Sequence, residues 1–200
     1  YSWRTVFSER EKTELLSPEL FAPPMHDSAR AYEKAFDEAP RDWAPLERAS
    51  FAYIKVWLAN FGHMQSDTFS ICASLEMRPT LLENGLAEFL FSLPLSLKLT
   101  GRKTKGFFRY CYRDKLPPYI LDKGKMGFHL PMAEWFRGEL KDFAAGYLFS
   151  GGDADRYFRR EQLEELFREH QGGLVDNSFK IFSIICFLEW VRHHREMINS

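Results

Sequence analysis

Cysteine is scarce in this chain, net charge is nearly absent, and no apolar run is long enough to cross a bilayer. Each lack removes a class of protein. Cys72, Cys111 and Cys186 are odd in number, far apart and embedded in apolar sequence, which fits neither a disulfide framework nor a CxxC metal pattern. They read as reduced thiols of the core. The net charge of -1 and pI of about 6.7 give weak long-range attraction to nucleic acid or an anionic membrane, so a basic site here must be local. The longest apolar run, 179–191, is interrupted by Lys180, Ser183 and Glu189 and falls short of the roughly 20 residues of a membrane span. No targeting peptide is visible, and a cytoplasmic protein without nucleic-acid or membrane partners is expected. The chain starts at Tyr1 rather than Met, as a fragment or a processed chain would.

What is present is a globular composition of 200 residues, 45% hydrophobic and 28% charged, enough for one substantial core or a large part of a bigger domain. Apolar spacing favours helices almost throughout, and no long alternating stretch asks to be a strand. The chain reads as mainly α and as a single helical unit over residues 1–200. Ser8 and Glu11 form a capping box for a short helix ending near Leu16 and Ser17-Pro18. Asp27-Ser28 caps a second helix through Phe36, and Pro45 opens a longer one with Leu46, Ala49, Tyr53, Val56, Trp57 and Asn60 on adjoining faces. Phe61-Gly62 reads as a break. Ser66 or Asp67 starts the next helix, running through Glu76 to the interruption at Arg78-Pro79-Thr80. Further helices are expected from about Leu82 to Leu93, Lys103 to Arg113 and Pro131 to Leu148. The last two lie near Glu161 to His170, stopped by Gly172-Gly173, and from the cap at 176–178 to about Glu196, apolar over much of its circumference.

The segment 116–142, LPPYILDKGKMGFHLPMAEWFRGELKD, carries most of the functional information. A Pro117-Pro118 break leads into a glycine-punctuated loop bearing Lys123 and Lys125. An adaptable backbone holding ammonium groups suits an anion such as phosphate or a carboxylate, although composition alone is equally compatible with a solvated loop. Lys98, Arg102, Lys103 and Lys105 around Gly101 read as solvating charges. Ser150-Gly151-Gly152-Asp153-Ala154-Asp155 superficially resembles the Ser-Gly-Gly-x-Asp-Ser loop of ATP-cleaving ligases, but it follows a helix and has Ala154 where Asp is required. It reads as an interhelix turn. His193 and His194 are adjacent, about 100° apart on a helix, and His26, His63, His129 and His170 are scattered, so all are read as surface or hydrogen-bonded residues and no metal site is expected. No Gly-x-Ser-x-Gly element or Cys/His arrangement supports nucleophilic catalysis.

Taken in order, DTFSICASLEMRPTLLENGLAEF, SLPLSLKL, GRKTKGFFRY, LPPYI, KGKMGF and EWFRGELKD resemble the C-terminal half of the asparagine synthetase family. The resemblance extends over nearly all of the chain and is strongest over 67–142. It implies the helical C-terminal part of an α/β ATP-pyrophosphatase-type (adenine nucleotide α-hydrolase-like) synthetase domain, whose sheet and phosphate loop lie upstream. The implied activity is that of an ATP-dependent amide-forming ligase. A substrate carboxylate is adenylated, pyrophosphate leaves, and ammonia or an amine displaces AMP, as in asparagine biosynthesis by a glutamine-hydrolysing amidotransferase. Lys125 falls at the family's catalytic lysine, with Lys123 auxiliary, Gly124, Gly127 and Phe128 shaping the loop, and Asp67, Ser70, Glu76 and Arg78 bracing the site.

ATP and Mg2+ are implied for the full-length enzyme, and neither is expected to bind this fragment alone, which should by itself be inactive. The implied partners are the upstream pyrophosphate-loop segment and glutaminase domain of the same protein, a small-molecule acid, and a second copy in a homodimer. Thr68, the run Pro79-Thr80-Leu81-Leu82-Glu83, Asn60-Phe61 and Gln65-Ser66 depart from the family pattern. These departures point to a divergent acid or amine, as in β-lactam synthetases and peptide cyclases. The alternative from another class is a non-catalytic helical binding module.

Overall fold

The computed structural model describes residues 5–20, 29–100, 103–124, 127 and 130–195. The chain is mainly helical, as expected. Contacts group the chain into two compact units, one of residues 1–28 with 128–200 and the other of residues 29–127. The first begins with α1, Glu9–Leu15, whose capping box is as expected: Ser8 Oγ accepts from Glu11 N–H and the Glu11 carboxylate accepts from Ser8 N–H.

The unit of residues 29–127 opens with α2, Ala29–Glu38, two residues longer than expected; Asp27 and Ser28, its expected cap, lie outside the described residues. Helix α3, Pro45–Tyr53, has its proline in the first turn, where the missing N–H costs nothing. Contrary to expectation, no break follows. A ten-residue π-helical stretch, Ile54–His63, joins α3 to α4, Met64–Cys72. Wide π turns are rare, and here two local features accompany them. The Asn60 amide donates to the carbonyls of Val56 (2.8 Å) and Lys55 (3.3 Å), and a side chain at Gly62 would meet the Trp57 ring at 3.0 Å. Gly62 thus makes room for an indole instead of ending a helix. The rings of Tyr53 and Trp57 stack with centroids 5.0 Å apart, and Phe61 follows on the same face, tilted against Trp57 at 5.6 Å.

Ser66 and Asp67 accordingly start nothing, because the helix is already running when it reaches them, and Ser66 Oγ donates back to the Gly62 carbonyl. Helix α4 stops at Cys72, four residues before the expected end. Ser74 adopts a left-handed φ of 57°, its N–H donates to Ile71 O, and Leu75 N–H donates to Ser70 O, which is the Schellman pattern of hydrogen bonds. A 3-10 turn, Thr80–Leu82, leads to α5, Asn84–Ser92, capped by the Glu83 carboxylate, which accepts from Gly85 and Leu86 N–H.

Next come α6, Leu95–Lys98, and a minimal antiparallel ladder of β1, Leu99–Thr100, with β2, Lys103–Thr104. Helices α7, Gly106–Cys111, and α8, Pro118–Asp122, follow. The helix expected from Lys103 therefore begins later, because its first residues pair as a strand. Among the described residues of this unit only Ala35, Ala39 and Ala52 are buried.

The remaining helices complete the first unit: α9, Met132–Arg137; α10, Lys141–Phe149; α11, Asp153–Tyr157; α12, Arg160–Gln171; and α13, Ser178–His193. The single helix expected from Pro131 to Leu148 is two, separated at Gly138. The expected Gly172-Gly173 stop is present, Gly173 having φ 70°. The N-cap of α13 is Asn177, whose side chain makes no cap bond; the carboxylate of the preceding Asp176 accepts from Ser178 N–H instead. Ile181, Ile184, Ile185, Leu188 and Val191 of this helix are buried with Phe136, Leu148 and Leu163 in one core, so α13 is central as its composition implies. Backbone pairing of Ser17 N–H with Tyr157 O and of Arg159 N–H with Leu15 O ties α1 to that core. No helix among the described residues is long and apolar enough to cross a membrane.

The three cysteines are free but exposed, not core thiols as the sequence suggests. Apolar flanking residues are a poor guide because Cys72 and Cys111 belong to the unit whose described residues bury only alanines, and Cys186 lies on the outward side of α13.

Candidate functional site

The lysine loop leaves α8 at Lys123, an exposed residue in extended conformation. Lys125 and Phe128 lie outside the described residues, as do Met126 and His129. Gly124 is exposed, with no atom within 4 Å of where a side chain would begin, so packing does not require glycine there; Gly127 is likewise exposed. The start of the loop is held by a residue the sequence reading missed. Arg109, half-buried on α7, donates from Nη2 to the Lys123 carbonyl (3.1 Å) and from Nε to the Thr104 carbonyl (3.3 Å). One guanidinium therefore links two basic stretches that the sequence presents separately, around Lys103-Lys105 and around Lys123. The signal was available: Arg109 is the one cation in GFFRYC.

The other expected site residues lie apart from this clamp in their bonding. Asp67 and Ser70 are half-buried on α4, and the Ser70 carbonyl receives the Leu75 N–H described above. Glu76 and Arg78 pair at 2.9 Å although both side chains are exposed. From sequence Glu76 is expected on a helix, where residues two apart diverge. In the extended run after Ser74 they lie on the same side. Among the described residues no hydrogen bond or ion pair joins Lys123 to Asp67, Ser70, Glu76 or Arg78.

Charges elsewhere have structural partners. Lys98 pairs with Glu47 at 2.9 Å and donates to the Phe91 carbonyl, and this bond holds the Glu47 carboxyl below its ordinary range. Lys98 therefore braces α3 instead of waiting for an anion. Ser150 to Gly152 form the expected interhelix turn, with positive φ at Gly151 and Gly152, and Asp153 to Asp155 already belong to α11, Asp153 being paired with Arg195 at 2.6 Å.

In the EWFRGEL motif, Phe136 is buried, Arg137 Nε donates to the His170 carbonyl (2.9 Å), and Gln171 Nε2 donates to the Phe136 carbonyl (2.6 Å). Reciprocal bonds thus tie α9, which follows the lysine loop, to the end of α12. His170 is completely buried, its Nδ1 accepting from Asn177 N–H at 3.2 Å. Burial, assisted by the Arg137 charge, pushes its imidazole below the ordinary 6.5. Glu11 bonds Lys180 at 2.5 Å, and this bond, with those from Ser8, lowers its carboxyl to about 2. His193 pairs with Glu189 and His194 stacks on Trp190. Among the described residues no group of three histidine, cysteine or carboxylate side chains could hold a metal ion.

Comparison with known proteins gives the same family as the motifs. The chain is 23% identical over 188 residues to glutamine-hydrolysing asparagine synthetase 1 of Bacillus subtilis, a match covering 92% of this chain and 28% of the relative. It is 26% identical over 149 residues to a putative glutamine-hydrolysing asparagine synthetase of Mycobacterium tuberculosis, covering 74% and 23% of the two chains. Amidase chyE of Penicillium rubens is 27% identical over 111 residues, covering 52% and 16%. The chain thus spans about a quarter of the length of the first two relatives. No solved structure matches. The asparagine synthase family model matches residues 2–192, and the chain belongs to that family.

Proposed function

We propose that this chain is the helical part of an ATP-dependent ligase that joins a carboxylic acid to ammonia or an amine. The observation that carries this reading is the family match over 2–192 together with the ordered run of Asp67 to Arg78, Lys123 to Phe128 and Trp135 to Leu140 inside it. ATP supplies the activation: a carboxylate oxygen attacks the α-phosphorus, pyrophosphate leaves, the amine attacks the acyl carbon, and AMP departs with the bonding electron pair. Lys125 is assigned the stabilisation of negative charge that develops on phosphate and acyl oxygens. Lys123 and Gly127 support it, and Asp67, Ser70, Glu76 and Arg78 brace the site.

Arg109 adds a cation beside the start of the lysine loop, where it donates to the Lys123 backbone carbonyl. Mg2+, implied for the full-length enzyme, is assigned to the ATP phosphates and to the phosphate-loop half. Phe61, Met64, Phe69 and Ile71 are exposed on the α4 side of the second unit, and apolar surface of this kind suits packing by another surface. The upstream phosphate-loop half is the partner assigned to it, with the glutaminase domain as the source of ammonia.

In the full-length protein, Lys125→Ala is expected to lower AMP formation from ATP and a panel of carboxylic acids by about 100- to 1000-fold. Unchanged AMP formation would remove Lys125 from the chemistry. A second substrate reading, an acid other than aspartate, is favoured by Asn60, whose amide is committed to Val56 and Lys55 carbonyls where charged residues are common in the family. The acid that supports AMP formation in the panel decides between them.

A further inference from the structure

We infer that Arg109 is a positioning residue for the lysine loop, an inference that rests on the ligase reading above. Thr104 ends the β1–β2 ladder and Lys123 is where α8 stops, so the two carbonyls Arg109 binds belong to separate elements. Helix α8 has only five residues and begins at Pro118 after Pro117. Prolines restrict the chain at its start, while its far end has the Arg109 bond. That bond satisfies a carbonyl at a helix C-terminus, where a cation is also favoured by the helix dipole.

The geometry requires a planar fork. Two donors on one rigid guanidinium bind two carbonyls at once, whereas a lysine ammonium on a flexible stem lacks the matching planar geometry. The backbone that leads into the loop is thereby fixed to the ladder before the loop begins. Arg109 itself points its donors at backbone, not at a substrate, so its effect on the reaction is exerted through the placement of the loop.

The test uses the full-length protein with Arg109→Gln and Arg109→Lys. AMP formation is measured with ATP, ammonium and a panel of free amino acids headed by L-aspartate, and amide hydrogen exchange is measured over residues 123–127. For Arg109→Gln the expected result is a fall in kcat of about 10- to 100-fold, KM for ATP within about twofold, and partial recovery of kcat in Arg109→Lys. Exchange over 123–127 should quicken in Arg109→Gln while that of α3 is unchanged. A KM effect with kcat intact, or quickened exchange with kcat intact, overturns the positioning role, and so does unchanged exchange. If the wild-type protein forms no AMP with any acid, the ligase reading fails, and exchange alone decides whether Arg109 anchors the loop.

Discussion

The unit of residues 1–28 and 128–200 completely buries Leu148, Leu163 and Ile181, while the unit of residues 29–127 buries nothing larger than alanine among its described residues. Both are helical and both are rich in aromatic and aliphatic side chains, so composition does not separate them. What differs is where those side chains point. In the first, α13 presents apolar residues inward over several turns and neighbouring helices close around it. In the second, Phe69, Ile71 and Leu75 are each more than 60% exposed, and aromatic rings stack along the surface of the helix they belong to.

The contrast predicts opposite responses to truncation. Leu148→Ala should destabilise the protein by about 2–5 kcal/mol, since it removes packed atoms and leaves a cavity, whereas Phe69→Ala should change stability by less than about 0.5 kcal/mol. Chemical denaturation of the 200-residue chain measures both, and equal losses would break the comparison.

A titration sharpens it. His170 is a completely buried histidine of the first unit, and the second has no buried titratable group among its described residues. Its ring is held below the ordinary 6.5 by burial. Below that value the unfolded chain binds a proton that the folded chain resists, so stability is full above 6.5 and is lost as pH falls towards the depressed folded value. Denaturation midpoints at pH 7.5, 6.5 and 5.5 should therefore fall with acidification in the wild type and fall less in His170→Gln. Parallel decline of the two proteins would show that another group carries the acid sensitivity.

The cored unit was the more legible in sequence, and the reason is physical. Local signals such as the Ser8–Glu11 capping box and the Gly172-Gly173 stop act within a few residues, and α13 shows its centrality through apolar residues around most of its circumference. The other unit misled at points where a tertiary or side-chain contact overrides a local preference. Gly62 looked like a helix break but accommodates the Trp57 ring. Cys72 and Cys111 look buried because their neighbours are apolar, yet both are exposed. At the candidate site, the motif order located the lysine loop, while the Arg109 clamp stayed hidden because its two carbonyls are far apart in sequence and carbonyls carry no residue identity.

A smaller effect than that of Leu148→Ala is expected at a motif that the two units share. Helix α12 ends with Gly173 N–H donating to His170 O and Leu174 N–H to Glu169 O; α4 ends with Ser74 N–H donating to Ile71 O and Leu75 N–H to Ser70 O. The hydrogen-bond pattern is the same, and both residues at the turning position have positive φ, 70° and 57°. Glycine adopts that conformation without a Cβ clash, whereas serine does so at a cost. Ser74→Gly should therefore raise stability by up to about 1 kcal/mol, against a small opposing cost of greater freedom in the unfolded chain. Gly173→Ala should lower it by a comparable amount, and thermal denaturation of the two variants reads both signs. If Ser74→Gly destabilises, the serine side chain supplies more to the end of α4 than its backbone strain removes, and the stretch from Ser70 through Arg78 is then held by side chains as well as by the closing hydrogen bonds.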